Sequence, residues 1–167
     1  MAERIQHPFG PLFGENSRVL ILGSFPSVKS REQQFFYGHP QNRFWRVIAA
    51  LYHQEPPETI AQKKALILDH GLALWDSIAS CEVTGSSDAS IRRVRANDLS
   101  VILDHCPIER IYCNGKTSFQ QYQKLILPET GRAAVCLPST SPANAQWSLE
   151  KLIDAWSVIL DFSFPTV

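Results

Sequence analysis

The chain has 167 residues, with 16 Lys and Arg against 16 Asp and Glu, no formal net charge, 44% hydrophobic and 19% charged residues. That is enough chain for one domain, residues 1–167, with a sizeable core, and its composition is ordinary for a soluble globular protein. Neutral charge excludes a protein coated in positive charge but leaves room for a local basic patch on nucleic acid. No apolar run reaches the roughly 18 residues of a membrane span. The opening MAERIQHPFG holds no apolar signal core, so a cytoplasmic protein with no membrane partner is expected.

Residues 1–17 read as loop, with Pro8, Gly10, Pro11 and Gly14. Val19 to Leu22 is a short continuous apolar run ending at Gly23, as in a strand buried on both faces of a parallel sheet. A loop follows, holding Ser24, Phe25, Pro26, Ser27, the aromatic trio Phe35, Phe36 and Tyr37, then Gly38-His39-Pro40-Gln41-Asn42. Phe44, Trp45, Val47, Ile48, Leu51 and Tyr52 recur at helical spacing, which predicts a helix over 42–53. After Pro56-Pro57 a second helix spans 58–70, with Gly71 at its C-terminal cap. Leu72 to Trp75 is a strand ending at Asp76.

Residues 77–96 read as one long loop, with turn chemistry at Gly85, Ser86, Ser87 and Asp88. Its Arg92, Arg93 and Arg95 are either a solvated face or a contact for an anionic partner. Asn97 is placed to cap a helix through His105. A strand over 110–113 stops at Asn114-Gly115, and a helix over 116–126 follows. A strand over 134–137 opens into PSTSPANAQW, and Ser148 caps a last helix to about Asp161. Its buried face would carry Leu149, Leu152, Ile153, Trp156 and either Ile159 or Leu160.

Strands alternating with helices predict an α/β fold: a three-layer α-β-α sandwich on a central four-stranded parallel sheet. All four strands end in loops of small and polar residues, GSFPS, DSI, NG and PSTSPAN. Parallel strands gather these loops along one edge, where sites in such sheets form.

Several chemistries are absent from those loops. GSFPSVKS lacks the glycine spacing and Gly-Lys-Ser/Thr ending of a phosphate-binding loop, and no G-x-G-x-x-G or G-x-S-x-G is present. A hydrolase triad from Ser139, Thr140 or Ser141 with His39 and Asp76 has no support in spacing. The cysteines Cys81, Cys106, Cys113 and Cys136 form no CxxC pair. Cys106, Cys113 and Cys136, in or beside apolar segments, are expected as buried thiols, and neither a metal nor a cofactor is expected. What the first loop does offer is aromatic surface beside amides and hydroxyls, the equipment for holding a flat base. For Tyr37, stacking on a ligand and burial in the core are both open.

GSFPS, FFYGHPQNRFW, Asn114-Gly115 and STSPANA together resemble the uracil-DNA glycosylase superfamily, and most closely its hypoxanthine-DNA (deoxyinosine) glycosylase branch, family six. The resemblance runs from Val19 to the last helix. It implies a monofunctional base-excision repair enzyme, a monomer, acting on DNA that contains deaminated bases, hypoxanthine or uracil, and leaving an abasic site. A nucleic-acid-binding or nucleobase-binding module of the same fold with weak or no catalysis is the alternative. Other branches carry Asp or Asn where this chain has Phe25, and His near where it has Leu137. The resemblance therefore implies that Asn42, in the HPQN segment, is the catalytic residue and positions the water. It implies base binding by Ser24, Phe25, Tyr37 (Phe36 as the fallback) and Asn114. It implies DNA contacts from Ser139, Thr140, Ser141, Pro142, Ala143 and Asn144, with cations from Arg43, Arg46, Lys116 and the Arg92–Arg95 cluster.

Overall fold

In the computed structural model, residues 3–84 and 90–160 are described. In chain order the elements are β1 (Glu3–Gln6), β2 (Val19–Gly23), α1 (Val28–Gln33), α2 (Phe44–Leu51), α3 (Ile60–Leu68), β3 (Leu72–Asp76), β4 (Ile78–Val83) and β5 (Arg92–Ala96). Then come α4 (Ser100–Leu103), β6 (Arg110–Asn114), α5 (Lys116–Gln121), a π-helical turn at Tyr122–Ile126, α6 (Leu127–Thr130), β7 (Ala134–Leu137), α7 (Leu149–Trp156) and a 3-10 turn at Ser157–Leu160.

Four strands form one parallel sheet in the order β3-β2-β6-β7. Successive side chains of a strand point to opposite faces. Val19 to Leu22 are nonetheless all fully buried, so helices cover both faces at the centre of the sheet. α2 lies against α7 and α3, while α5 lies against β6 and β7. Gly23 pairs with Asp76, Leu22 with Cys113, and Asn114 with Leu137. The four strands thus end level, and their following loops share one edge.

The segments expected as loops over 1–17 and 77–96 hold a second sheet. β1, β4 and β5 form a three-stranded antiparallel sheet in the order β1-β4-β5. Its alternation is hidden because the β4–β5 register shifts twice, between Ile78 and Ser80 and between Ser80 and Glu82. Ile78, Cys81 and Val83 form its own apolar cluster with Ile5, Phe25, Ile91 and Val94. The turn residues Gly85 to Asp88 lie outside the described residues. Arg92, Arg93 and Arg95 are exposed, with Arg93 3.6 Å from Glu82.

Smaller corrections follow from local hydrogen bonding. α1 sits inside the first loop, capped by Ser27, whose hydroxyl accepts the Ser30 N–H. The helix expected from Asn97 starts at Ser100, where Asp98 Oδ1 accepts the Ser100 N–H. Asn97 instead donates through Nδ2 to the carbonyls of Asp76 and Ile78, at 2.8 and 3.2 Å, and so ties β5 to the start of β4. In the last helix Leu152, Trp156 and Ile159 are buried and Leu160 is exposed, and Asp161 lies outside the described residues. Cys106 and Cys113 are buried as expected, but Cys136 is exposed beside the exposed Val135, because β7 is an edge strand.

Candidate active site

The loop after β2 leaves the sheet at Gly23, where a side chain would crowd its neighbours. A Cβ on Gly23 would stand 2.4 Å from Asp76 Oδ1 and 3.1 Å from the Tyr37 hydroxyl oxygen. The Ser77 N–H donates to the Gly23 carbonyl at 2.7 Å, and the Ile78 N–H to the Ser24 carbonyl at 3.1 Å. The loop backbone at Gly23 and Ser24 is therefore stitched to the start of β4. Phe25 is half-buried, with its ring edge-on to His7 at 5.9 Å and within the apolar cluster of the small sheet.

Of the aromatic trio, Phe35 and Phe36 are core, as are Phe44 and Trp45. The Trp45 indole N–H donates to the Phe36 carbonyl at 3.2 Å. Tyr37 is half-buried. One face of its ring stacks on Phe44, with centroids 4.0 Å apart and planes 20° from parallel. Its φ of 53° is a left-handed conformation disfavoured for a bulky residue. The next residue helps hold that turn: the Gly38 N–H donates to Ser30 Oγ at 2.8 Å. The Tyr37 hydroxyl is buried, lies close to Asp76 and Asn114, and makes no hydrogen bond of good geometry. Burial pushes its pKa well above the ordinary phenol range; the Asp76 charge adds to the rise and the Asn114 side chain partly offsets it.

Asn42 and Asn114 come from segments 72 residues apart and meet through Thr140. Asn42 Oδ1 accepts the Phe44 N–H at 2.9 Å at the start of α2. The Thr140 hydroxyl lies 2.8 Å from the same Oδ1. Asn114, at the end of β6, accepts the Thr140 N–H at 3.0 Å and donates through Nδ2 to Thr140 Oγ1 at 3.0 Å. Thr140 is 0% exposed. It was expected on the DNA surface; its side chain is instead the strut between the two asparagines.

The 138–147 loop is built on Arg43. Its backbone N–H donates to the Thr140 carbonyl at 3.1 Å. Its guanidinium donates to the carbonyls of Ser141 at 3.0 Å, Asn144 at 3.1 Å and Trp147. This residue, expected as a phosphate cation, has its charge turned inward onto the loop. Ser139 Oγ accepts the Ser141 N–H, and Ser141 Oγ accepts the Ala143 N–H, both at 3.1 Å. Asn144 donates through Nδ2 to the Ser139 carbonyl at 3.0 Å. Half-buried Pro142 and exposed Ala143 lie within this self-bonded turn.

His7 carried no signal in the sequence. Its Nε2 lies 2.7 Å from Asp76 Oδ2, both side chains nearly fully buried. β1 delivers it by pairing Glu3 to Gln6 with Val83 to Ser80 of β4, far along the chain, a contact that no local pattern encodes. Asp76 thus pairs with His7. Among the described residues no group of three or more His, Cys, Asp or Glu is placed to hold a metal ion.

Three comparisons say what the chain is similar to. Residues 11–160 match the model of the Uracil DNA glycosylase superfamily. A protein of Methanosarcina acetivorans named hypoxanthine DNA glycosylase is 33% identical over 145 residues, 86% of this chain and 91% of that one. One of the same name from Methanosarcina barkeri is 31% identical over 151 residues, 89% and 94% of the two chains. The solution NMR structure of a Methanosarcina acetivorans protein described as a candidate uracil DNA glycosylase superposes with a TM-score of 0.74 at 29% identity, covering 93% of this chain and 98% of that one.

Proposed function

The chain belongs to the uracil DNA glycosylase superfamily, and we propose that its strand-end site hydrolyses the N-glycosidic bond of a deaminated base, hypoxanthine foremost and uracil second, in DNA. Water supplies the hydroxyl that bonds to the sugar carbon, the bonding pair leaves with the base, and the water's other proton ends on base or solvent. The observation that carries the reading is the Asn42–Thr140–Asn114 junction beside a half-buried Tyr37 whose one face is already packed on Phe44. A ring held that way is a rigid platform for a flipped base, and flipping costs a few kcal/mol, least for a mispaired base.

Asn42 is the catalytic residue in this reading. An amide is a poor general base, so the rate comes from placement and from stabilising charge as the bond breaks. Backbone N–H groups at Ser24 and Phe25, with Asn114, line the base-binding side. The Phe25 ring serves by packing the loop onto the small sheet. Ser139, Ser141, Pro142, Ala143 and Asn144 meet the DNA as a preformed turn, with Thr140 holding it from beneath. The enzyme works as a monomer in the cytoplasm without a cofactor and leaves an abasic site uncut.

Oligonucleotides carrying one hypoxanthine or one uracil, paired and single-stranded, test this. Alkali-labile sites that appear with the wild type and collapse with Asn42→Ala support it. Strand breaks without alkali refute the monofunctional part. Tight binding to inosine DNA with no base release points to the binding-module alternative.

A further inference from the structure

Two backbone N–H groups fix which way the site's amides point. The Phe44 N–H can only donate, and it lies 2.9 Å from Asn42 Oδ1, so that atom is the carbonyl oxygen. The Thr140 N–H does the same for Asn114 Oδ1 at 3.0 Å. Asn114 Nδ2 is then the donor to Thr140 Oγ1, and the hydroxyl proton of Thr140 goes to Asn42 Oδ1. The chain of donors runs one way, from Asn114 through Thr140 to Asn42. Both lone pairs of the Asn42 carbonyl are consumed, by a backbone N–H and by a buried hydroxyl. Its Nδ2 makes no hydrogen bond among the described residues, and the residue is partly exposed at the site.

We propose, resting on the glycosylase reading above, that Asn42 acts as a hydrogen-bond donor through Nδ2 to the negative charge that develops on the departing base, and that Thr140 is the positioning residue that sets this polarity. An acceptor role, drawing a proton from the attacking water, would need a free lone pair on Oδ1. Two donors on Oδ1 also polarise the amide and strengthen its N–H groups as donors. A fixed donor aimed at developing charge needs no reorganisation during the reaction.

Asn42→Asp separates the two roles. It keeps an oxygen for Phe44 and Thr140 and replaces the donor by a second oxygen. If Asn42 serves as an acceptor, the carboxylate is the better base and single-turnover release of hypoxanthine is kept or raised. The proposal expects a fall of about 100-fold or more, on the scale of losing one preorganised donor, and a rate no better than that of Asn42→Ala. Thr140→Val should slow single-turnover release at saturating DNA by about 10-fold, the worth of one buried hydrogen bond. Thr140→Ser should restore it, and the Thr140→Val effect should vanish in an Asn42→Ala background. Should Thr140→Val fail to fold, the Asn42→Asp comparison decides alone. No release by the wild type overturns the glycosylase reading itself. Release by the wild type with Asn42→Asp equal to or above it overturns only this proposal, and so does a Thr140→Val effect that is undiminished without Asn42.

Discussion

His7 Nε2 lies 2.7 Å from Asp76 Oδ2, with the two side chains 4% and 6% exposed. The Phe9 N–H faces His7 Nδ1 at 3.4 Å, which places the ring proton on Nε2 and makes it the donor to the carboxylate. This bond joins the segment after β1 to the end of β3, and Asp76 Oδ1 then stands over Gly23 at the mouth of the first loop. The small sheet thereby anchors the site. His7→Ala leaves a buried carboxylate without its partner, a cost on the order of 3 kcal/mol. For a domain of this size that is a fall in Tm of roughly 10 °C. A His7→Ala protein melting within a degree of the wild type would show the pair to be dispensable.

Gly23→Ala tests the same junction from the other side. The added Cβ would sit 2.4 Å from Asp76 Oδ1, far inside contact distance. A free carboxylate would swing away, but this one is held by His7. The expected result is a loss of about 1–3 kcal/mol in urea unfolding, together with a drop in base release as the first loop shifts. Stability and activity both unchanged would mean that Asp76 relaxes without cost.

Arg43→Met separates two roles for one cation. A phosphate contact would show as a shallower salt dependence of DNA binding, by about one unit of slope. The structure has the guanidinium on three carbonyls of the 138–147 loop, so removing it unhooks the loop and leaves the phosphate count alone. Affinity for DNA carrying an abasic analogue should fall by about 10-fold, with the salt slope unchanged. Arg43→Lys should not rescue it, because a point charge cannot span three acceptors as a planar fork does.

The parallel sheet was legible because its strands are short apolar runs that stop at Gly23, Asp76, Asn114 and Leu137, and loops at strand ends are where chemistry collects. The β1-β4-β5 sheet was not. Glu3 to Gln6 find their partners at Ser80 to Val83, and the register shifts in β4–β5 erase the two-residue period. The roles within PSTSPAN were illegible for a different reason. Hydroxyls and amides in a polar loop look alike as sequence, yet Thr140 is wholly buried while Ala143, three residues on, is exposed. Only the packing of Arg43 beneath the loop decides which side chain turns in. Asn42 and Asn114 could be picked out singly, but nothing local says that one hydroxyl joins them.

The buried acids of the core give stability an alkaline limit. Burial pushes the Cys113 thiol up to about 12, with the Ser118 hydrogen bond partly offsetting it and nearby Cys136 adding to it. Burial likewise pushes the Tyr52 phenol up to about 12, and the Tyr37 phenol is raised further. The native state therefore keeps protons that the unfolded chain gives up from about pH 8.5 for a thiol and about 10 for a phenol. The unfolded chain binds fewer protons in this window, so unfolding becomes easier as pH rises from about 9 toward 12. The urea midpoint should be level between pH 7 and 8 and decline steadily above 9. Cys113→Ala should flatten the first part of that decline. The same burial predicts that a thiol reagent titrates Cys136 in the native protein while Cys81, Cys106 and Cys113 react only on unfolding. A midpoint that stays flat to about pH 10.5, or Cys113 reacting in the native protein as fast as Cys136, would mean that water reaches the β6 end of the sheet.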